Sequence, residues 1–351
     1  MSVLIIFEVI MIHHLYKTDC RKSSRVIMQS RWDGGCKYIH LTSSDNYQHD
    51  VRLSFKNLFM ICRNLNKNDV IVFHAQSSLP YLIFASIAKK MLNFGGRYVY
   101  DIHDLHEYTK TISKDGRAIF RHIVLLVFEA IVFKIKNIKK ITVSDGLSTI
   151  MRKRYSCEII DVVYNVSVSE LNAKIDFSLK KKNNIVFFGT KERLPIKALK
   201  KLSSQNIVVD IYGRGIDDLW IEEVAGVPKE YVNVHGEYNP NDLRFLTNYK
   251  ASIIFSPDDL SINFRHSLPN KLFQSLNAGH TVLVSENFFE MIQLFNDIKF
   301  AVVPVKLENI ADVFFDAMNN RQESYSSEVT LKIFSLYQKS KKTYLNITLQ
   351  P

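Results

Sequence analysis

Short β-rich runs alternate with helical stretches along this chain, and the alternation starts afresh halfway through. In the first half, residues 3–7, 38–42, 70–74, 97–102, 140–143 and 159–163 read as strands, with helical patterns such as 53–65, 81–92 and 144–154 between them. The second half repeats the rhythm at 185–188, 207–212, 231–235, 251–255, 281–284 and 300–303. Alternation of this kind predicts parallel sheets covered by helices. The expectation is therefore an α/β chain with two Rossmann-like doubly wound domains, residues 1–166 and 185–322, facing a cleft. A polar, lysine-rich linker over 167–184 joins them, and residues 323–351 form a helical tail. Ligands of such sheets bind outside the carboxyl ends of the strands, so the loops there are the places to search.

A length of 351 residues suits two domains, and 46% apolar with 23% charged residues excludes a disordered chain. The four cysteines form no C-x-x-C pair and read as reduced thiols. Residues 1–12 are apolar but contain Glu8 and lack a basic leader, which fits a buried first strand better than a secretory signal. The apolar run at 118–133 is interrupted by Arg121, His122 and Glu129 and falls short of the ~20 residues a bilayer span needs. No membrane span is expected, and the protein is placed in the cytoplasm.

The net charge of +11 is compatible with nucleic acid, a membrane surface or a phosphorylated ligand. Eleven Lys and Arg stand against three acids between residues 110 and 154, a local excess of eight. Basic residues flanking a helix-length apolar stretch fit peripheral contact with an anionic membrane at the inner face of the plasma membrane. The same pattern fits a buried helix followed by a solvated lysine turn. No nucleic-acid-binding module accompanies the charge, so nucleic acid is not an expected partner.

The segment SLPNKLFQSLNAG, residues 267–279, carries helix punctuation: Pro269 at the first turn and Gly279 just past the end. Leu272, Phe273 and Leu276 share one face, whereas Asn270, Lys271, Gln274 and Asn277 lie on the other. A helix N-terminus with an added lysine favours a phosphate. A surface helix with a solvated face gives the same pattern. Farther upstream, Gly189 leaves a strand and is followed by Arg193 and Lys197, four residues apart, which also read as an ordinary basic turn. Gly213 and Gly215 form a second glycine-rich loop after the next strand. The run YDIHDLHE places Asp101, His103, Asp104, His106 and Glu107 at the end of the strand 97–102. The spacing matches no standard zinc site, and Asp101 and Asp104 also read as caps of the following helix.

The run SLPNKLFQSLNAGHTVLVS resembles the nucleotide-sugar-binding segment of GT-B glycosyltransferases of the family-4 type, the group-1 bacterial polysaccharide transferases. Where that family has two glutamates separated by seven residues, this chain has His266 and Gln274, and it lacks the family's glycine-rich loop after the first strand. The resemblance implies transfer of a sugar from a nucleotide-diphosphate sugar to a lipid-linked surface glycan such as capsule or O-antigen. It further implies retention of configuration, no metal and no cofactor. On this reading Arg193 and Lys197 hold the leaving diphosphate, and His103 and Asp104 serve the transferred sugar. Gly189, Gly213, Ser267, Asn270, Lys271 and Gln274 bind the donor, and His13, His14 and Glu107 lie on the acceptor side. For His13 and His14 a packing role fits as well. A GT-B-type nucleotide-sugar 2-epimerase is a second enzyme reading, and the departures at Gln274 and the first loop leave open a non-catalytic partner of an active transferase.

Overall fold

The computed structural model describes residues 10–17, 20, 23–33, 36–40, 50–105, 116–157, 159–166, 182–239, 242–255, 262–319 and 325–350. It divides into two compact units, Met1–Asn165 with Gln338–Pro351, and Val166–Tyr337.

The first unit is a seven-stranded, all-parallel sheet in the order β3-β2-β1-β4-β5-β6-β7. Its strands are β1 (Ile12–Leu15), β2 (Cys36–His40), β3 (Asp50–Arg52), β4 (Val70–His74), β5 (Arg97–Ile102), β6 (Ile138–Thr142) and β7 (Asp161–Val162). The crossovers contain α1 (Ser24–Trp32), α2 (Phe55–Arg63), α3 (Leu79–Leu92), α4 (Gly116–Lys134) and α5 (Asp145–Tyr155). Serines start three of these helices. Ser23, Ser54 and Ser144 each accept a hydrogen bond from the backbone N–H three residues on, satisfying a donor the helix itself cannot pair. Covered sheets need apolar strands on both faces, and β4, VIVFH, is buried throughout.

The second unit is a six-stranded parallel sheet in the order β10-β9-β8-β11-β12-β13. Its strands are β8 (Lys182–Thr190), β9 (Val209–Arg214), β10 (Val232–Val234), β11 (Tyr249–Ile254), β12 (Thr281–Ser285) and β13 (Val302–Val305). Around it lie α6 (Ile196–Ser203), the single turn α7 (Asp218–Trp220), α8 (Ile262–His266), α9 (Asn270–Asn277), α10 (Phe289–Leu294) and α11 (Ile310–Asn319). A 25-residue helix, α12 (Tyr325–Leu349), occupies the expected tail, and its residues from Gln338 onward belong to the first unit. There Ser340 Oγ accepts from the Tyr164 backbone N–H at 3.0 Å, and Tyr344 packs beside Trp32.

Several sequence expectations shift. The strand expected at 3–7 lies outside the described residues, as do 167–181 of the expected linker, and β8 already starts at Lys182. His13 and His14, expected in a loop after the first strand, are themselves part of β1. Helix α9 ends as its punctuation predicts, with Gly279 at φ +76°, and Leu272, Phe273 and Leu276 buried.

Candidate functional site

In both sheets the strand order reverses next to the first strand of the unit, between β1 and β4 and between β8 and β11. Helices leave in opposite directions from such a point, which opens a crevice at the carboxyl ends of the strands. Each unit gathers charge there.

In the first unit the hub is Asp101, the penultimate residue of β5, fully buried. Arg25 grips it with a fork, Nε to Oδ2 at 2.8 Å and Nη2 to Oδ1 at 2.6 Å, and gives Nη1 to the Val163 carbonyl at 2.6 Å. Gln29, one turn along α1, donates to Oδ2 at 2.9 Å. His74 Nδ1 lies 3.0 Å and His103 Nε2 3.3 Å from the same oxygen. Burial opposes ionisation of Asp101, yet the Arg25 guanidinium and the facing histidines outweigh it and hold the carboxyl well below the ordinary range. The expected helix cap at Asp101 is therefore corrected: β5 points this side chain into the sheet core, where only an internal cation can compensate it.

The chain of contacts continues inward. His14 Nδ1 sits 2.8 Å from His74 Nε2, and His14 Nε2 sits 2.7 Å from Asp33 Oδ2, which also accepts from the Tyr344 hydroxyl at 3.3 Å. Burial depresses the basicity of His74 to about 3, so this ring is neutral. His14 is fully buried, which corrects its assignment to an acceptor-facing loop; it holds the network together from inside. His13 points away from this cluster, beside Lys37 and Asp69 at a cavity of about 390 Å³, and burial lowers its basicity to about 4. His103 alone among the three clustered histidines reaches solvent, with a side chain 13% exposed and the Tyr16 ring 5.8 Å away. Asp104 is exposed, and its carbonyl accepts from Gln76 Nε2 at 2.7 Å. Glu107 lies outside the described residues.

Among the described residues, two triads bring potential metal-ligand atoms within 4.8 Å of one another, His74–Asp101–His103 and His14–Asp33–Cys36. In each the carboxylate is already engaged. A cation at the first would compete with the Arg25 fork for Asp101.

In the second unit, the carboxyl end of β8 lies against that of β9. A Cβ on Gly213 would stand 2.5 Å from the Gly189 carbonyl oxygen, so this approach needs glycine. Beside Gly189, whose own Cβ would lie 3.8 Å from Lys271 Nζ, the half-buried lysine points across the Phe187 ring at 5.0 Å. Burial, reinforced by the neighbouring Arg193 charge, lowers the Lys271 ammonium to about 8. Arg193 is exposed, with its guanidinium 5.3 Å from the Phe264 ring, and no carboxylate pairs with either cation among the described residues. Gln274, one turn beyond Asn270 on α9, is partly exposed. Ser267 spends its hydroxyl on the Phe264 carbonyl at 3.3 Å. Lys197 is exposed on α6, and the Arg193 charge acts on Lys271. Nearby, Tyr212 is stacked between His235 at 4.4 Å and Phe245 at 4.0 Å, which fixes the strand end that carries Gly213.

The sequence reading did not find Arg25, Gln29, His74 or Asp33. The available signal was polar residues in otherwise apolar elements: Arg25 and Gln29 four apart on one helix face, and His74 ending a wholly apolar strand.

No protein-family model matches the chain, and no curated protein matches it. Among solved structures it is similar to WaaG, a glycosyltransferase involved in lipopolysaccharide biosynthesis, at TM-score 0.58 and 14% identity over 97% of this chain and 100% of that one. It is also similar to AviGT4, a glycosyltransferase involved in avilamycin A biosynthesis, at TM-score 0.59 and 8% identity over 97% and 98% of the two chains. A trehalose-6-phosphate synthase matches at TM-score 0.62 and 8% identity over 97% and 99%.

Proposed function

We propose that this chain, which has the fold of the GT-B glycosyltransferases with parallel sheets of seven and six strands, is itself a glycosyltransferase, moving a sugar from a nucleoside-diphosphate sugar to a lipid-linked bacterial surface glycan. The observation that carries this reading is the pair Arg193 and Lys271: two neighbouring cations, one half-buried, with no carboxylate partner among the described residues. Like charges held close are costly unless an anion joins them. A diphosphate supplies that anion, with Arg193 offering a planar fork and Lys271 a point charge. As the bond from sugar to phosphate breaks, these cations stabilise the charge that develops on the leaving oxygens. The incoming hydroxyl attacks from the same face, its proton passing to the departing phosphate, which gives retention without a metal. Retention is also the subject of the work on the trehalose-6-phosphate synthase neighbour. Gly189, Gly213, Asn270 and Gln274 line the donor side of this reading, and His103, with Asp104 next to it, meets the sugar.

Calorimetry with UDP, UDP-glucose, UDP-N-acetylglucosamine and GDP-mannose tests it. Binding of at least one, lost in Arg193→Ala, is the expected result; no binding by any of them removes the basis of the reading. Conversion of a bound UDP-sugar without acceptor would redirect it to epimerisation.

Helix α4 supports the membrane side of the reading. It buries its one acid, Glu129, which accepts from the Tyr100 hydroxyl at 3.1 Å and the Tyr155 hydroxyl at 2.7 Å. Outward it shows Phe120, Ile123, Val127 and Ile131, a single stripe at helical spacing, with exposed Arg117, Arg121 and Lys134 on the same helix. Ile87 and Met91 are exposed on the adjoining α3. An apolar stripe rimmed by cations suits an anionic bilayer, each near-surface charge contributing about 1 kcal/mol. No helix among the described residues is long and apolar enough to cross one. We expect sedimentation with phosphatidylglycerol vesicles at low salt, reversed by high salt and weakened by Phe120→Ser with Ile123→Ser. Recovery of all protein in the supernatant at low salt would rule out the docking.

A further inference from the structure

Four side chains form a line through the first unit: Asp33, His14, His74 and Asp101. They meet at three contacts, Asp33 Oδ2 to His14 Nε2 at 2.7 Å, His14 Nδ1 to His74 Nε2 at 2.8 Å, and His74 Nδ1 to Asp101 Oδ2 at 3.0 Å. At each contact two lone pairs oppose one another unless a positive centre stands between them. Two neutral imidazoles bring two protons to these three contacts, so one positive charge is missing whichever tautomers are chosen. His103 reaches Asp101 separately and adds no proton to the three. The Asp101 end is already matched by the full charge of Arg25 and by Gln29. The Asp33 side chain is just as buried, yet among the described residues no lysine or arginine pairs with it. Its one further donor is the Tyr344 hydroxyl at 3.3 Å, and Asp33 Oδ1 is buried without a hydrogen-bond partner. A buried carboxylate needs compensation, so the missing charge belongs at Asp33.

We propose that His14, Asp33 and Cys36 form a zinc site, which ties β1 to the end of α1 and the start of β2. The Cys36 sulfur lies within 4.8 Å of the ligand atoms of His14 and Asp33, and the Tyr38 and Ser30 hydroxyls neighbour it as donors, which suits a thiolate. A proton would complete the count but leave Asp33 Oδ1 and the thiol unused. A divalent cation engages all three groups, and with one carboxylate and one thiolate it leaves the buried cluster neutral. Imidazole, carboxylate and thiolate together are a zinc donor set. Two ligands at about 2.0–2.1 Å in tetrahedral geometry stand about 3.3 Å apart, so the 2.7 Å contact of His14 with Asp33 opens on binding. Asp33 Oδ1 or a water then closes the shell. With the ion at His14 Nε2, the two ring protons fall in place: His14 Nδ1–H donates to His74 Nε2, and His74 Nδ1–H donates to Asp101. A liganding histidine oriented through its other nitrogen by a chain ending on a carboxylate is the usual support of such a site. The ion is structural. Donor binding as read above rests on Gly189, Arg193 and Lys271, all of the second unit, and involves no metal.

The test uses the full chain without a histidine tag, freed of metal by a chelator and titrated with zinc against a chromophoric competitor. One tightly bound zinc per chain is the expected result. His74→Asn, which removes the support of His14, should weaken it about 10- to 100-fold, and Cys36→Ser and Asp33→Asn should weaken it further. Cobalt in place of zinc reads the ligands in the unaltered chain, so that arm stands even if a variant does not fold. A thiolate-to-cobalt charge-transfer band in the near ultraviolet is expected, and its loss in Cys36→Ser assigns the sulfur. If the unaltered chain binds no zinc in the competition, or if its cobalt complex lacks the thiolate band, the proposal is overturned and a proton is the missing charge. Zinc bound equally well by Cys36→Ser and the unaltered chain overturns it too, because the ion then sits elsewhere.

Discussion

The two units finish their central strands in opposite electrostatic states. In the first, Asp101 is buried and every direction around it is filled, by Arg25, Gln29, His74 and His103. In the second, Arg193 and Lys271 neighbour each other with no carboxylate of their own among the described residues. A buried charge compensated within the fold fixes geometry, because its partners are always present. An uncompensated pair is an unfinished interaction, complete only when an anion arrives. The same switch-point architecture thus ends in one charge cluster closed within the fold and one cation pair with no carboxylate partner among the described residues.

Stability separates the two most strongly. Asp101→Ala leaves the Arg25 guanidinium buried without its carboxylate, and losing one member of a buried pair costs about 3–5 kcal/mol. Lys271→Met removes a charge that burial and Arg193 both disfavour, so stability is kept or raised. Urea unfolding midpoints measure both, and equal losses in the two variants would break the contrast.

Ligand binding runs the other way. Charge-assisted hydrogen bonds contribute about 1.5–3 kcal/mol, so Arg193→Ala and Lys271→Met each weaken UDP binding roughly 10- to 100-fold. His74→Asn keeps an N–H toward Asp101 and leaves UDP affinity unchanged. Calorimetric titration of the three variants sharpens the comparison, and a comparable loss in His74→Asn would show that the networks are not independent.

The difference also explains what the sequence revealed. Strand and helix alternation exposed the fold class because apolar periodicity is local, and Pro269 and Gly279 marked α9 to within a residue. Lys271 was found through its place at the head of that helix. Its proximity to Arg193 was hidden, because it depends on how β8 and α9 pack. The Asp101 network was hidden more deeply. It joins residues from α1, β1, β4, β5 and the turn after β5, with its histidines and Asp101 up to 89 positions apart, and a buried Asp next to a strand end looks in sequence like a helix cap. The inside-out character of α4 was equally illegible, since Glu129 interrupts its apolar run from the face that turns out to be buried.

The smallest and most specific effect is on pH. In the free protein Lys271 loses its proton near pH 8, well below an ordinary lysine, because burial and then the Arg193 charge disfavour the ammonium form. A bound diphosphate favours that form, so binding raises the value and takes up a proton when measured near pH 8. UDP affinity should be full below pH 8 and should fall above it, approaching tenfold per pH unit, or about 1.4 kcal/mol. Folding responds with the opposite sign. With the folded value lowered, the unfolded chain binds more protons between about pH 8 and the ordinary lysine range near 10.4, so stability rises with pH through that window. His74 and Asp101 stay silent throughout, since His74 titrates only near pH 3 and Asp101 lower than an ordinary carboxyl. Opposite slopes of affinity and stability above pH 8, the first abolished and the second reduced in Lys271→Met, identify this lysine as the titrating group at the anion site. UDP affinity that stays flat from pH 7.5 to about 9.5 would place the diphosphate elsewhere, because no anion in contact with a half-deprotonated ammonium can ignore its loss.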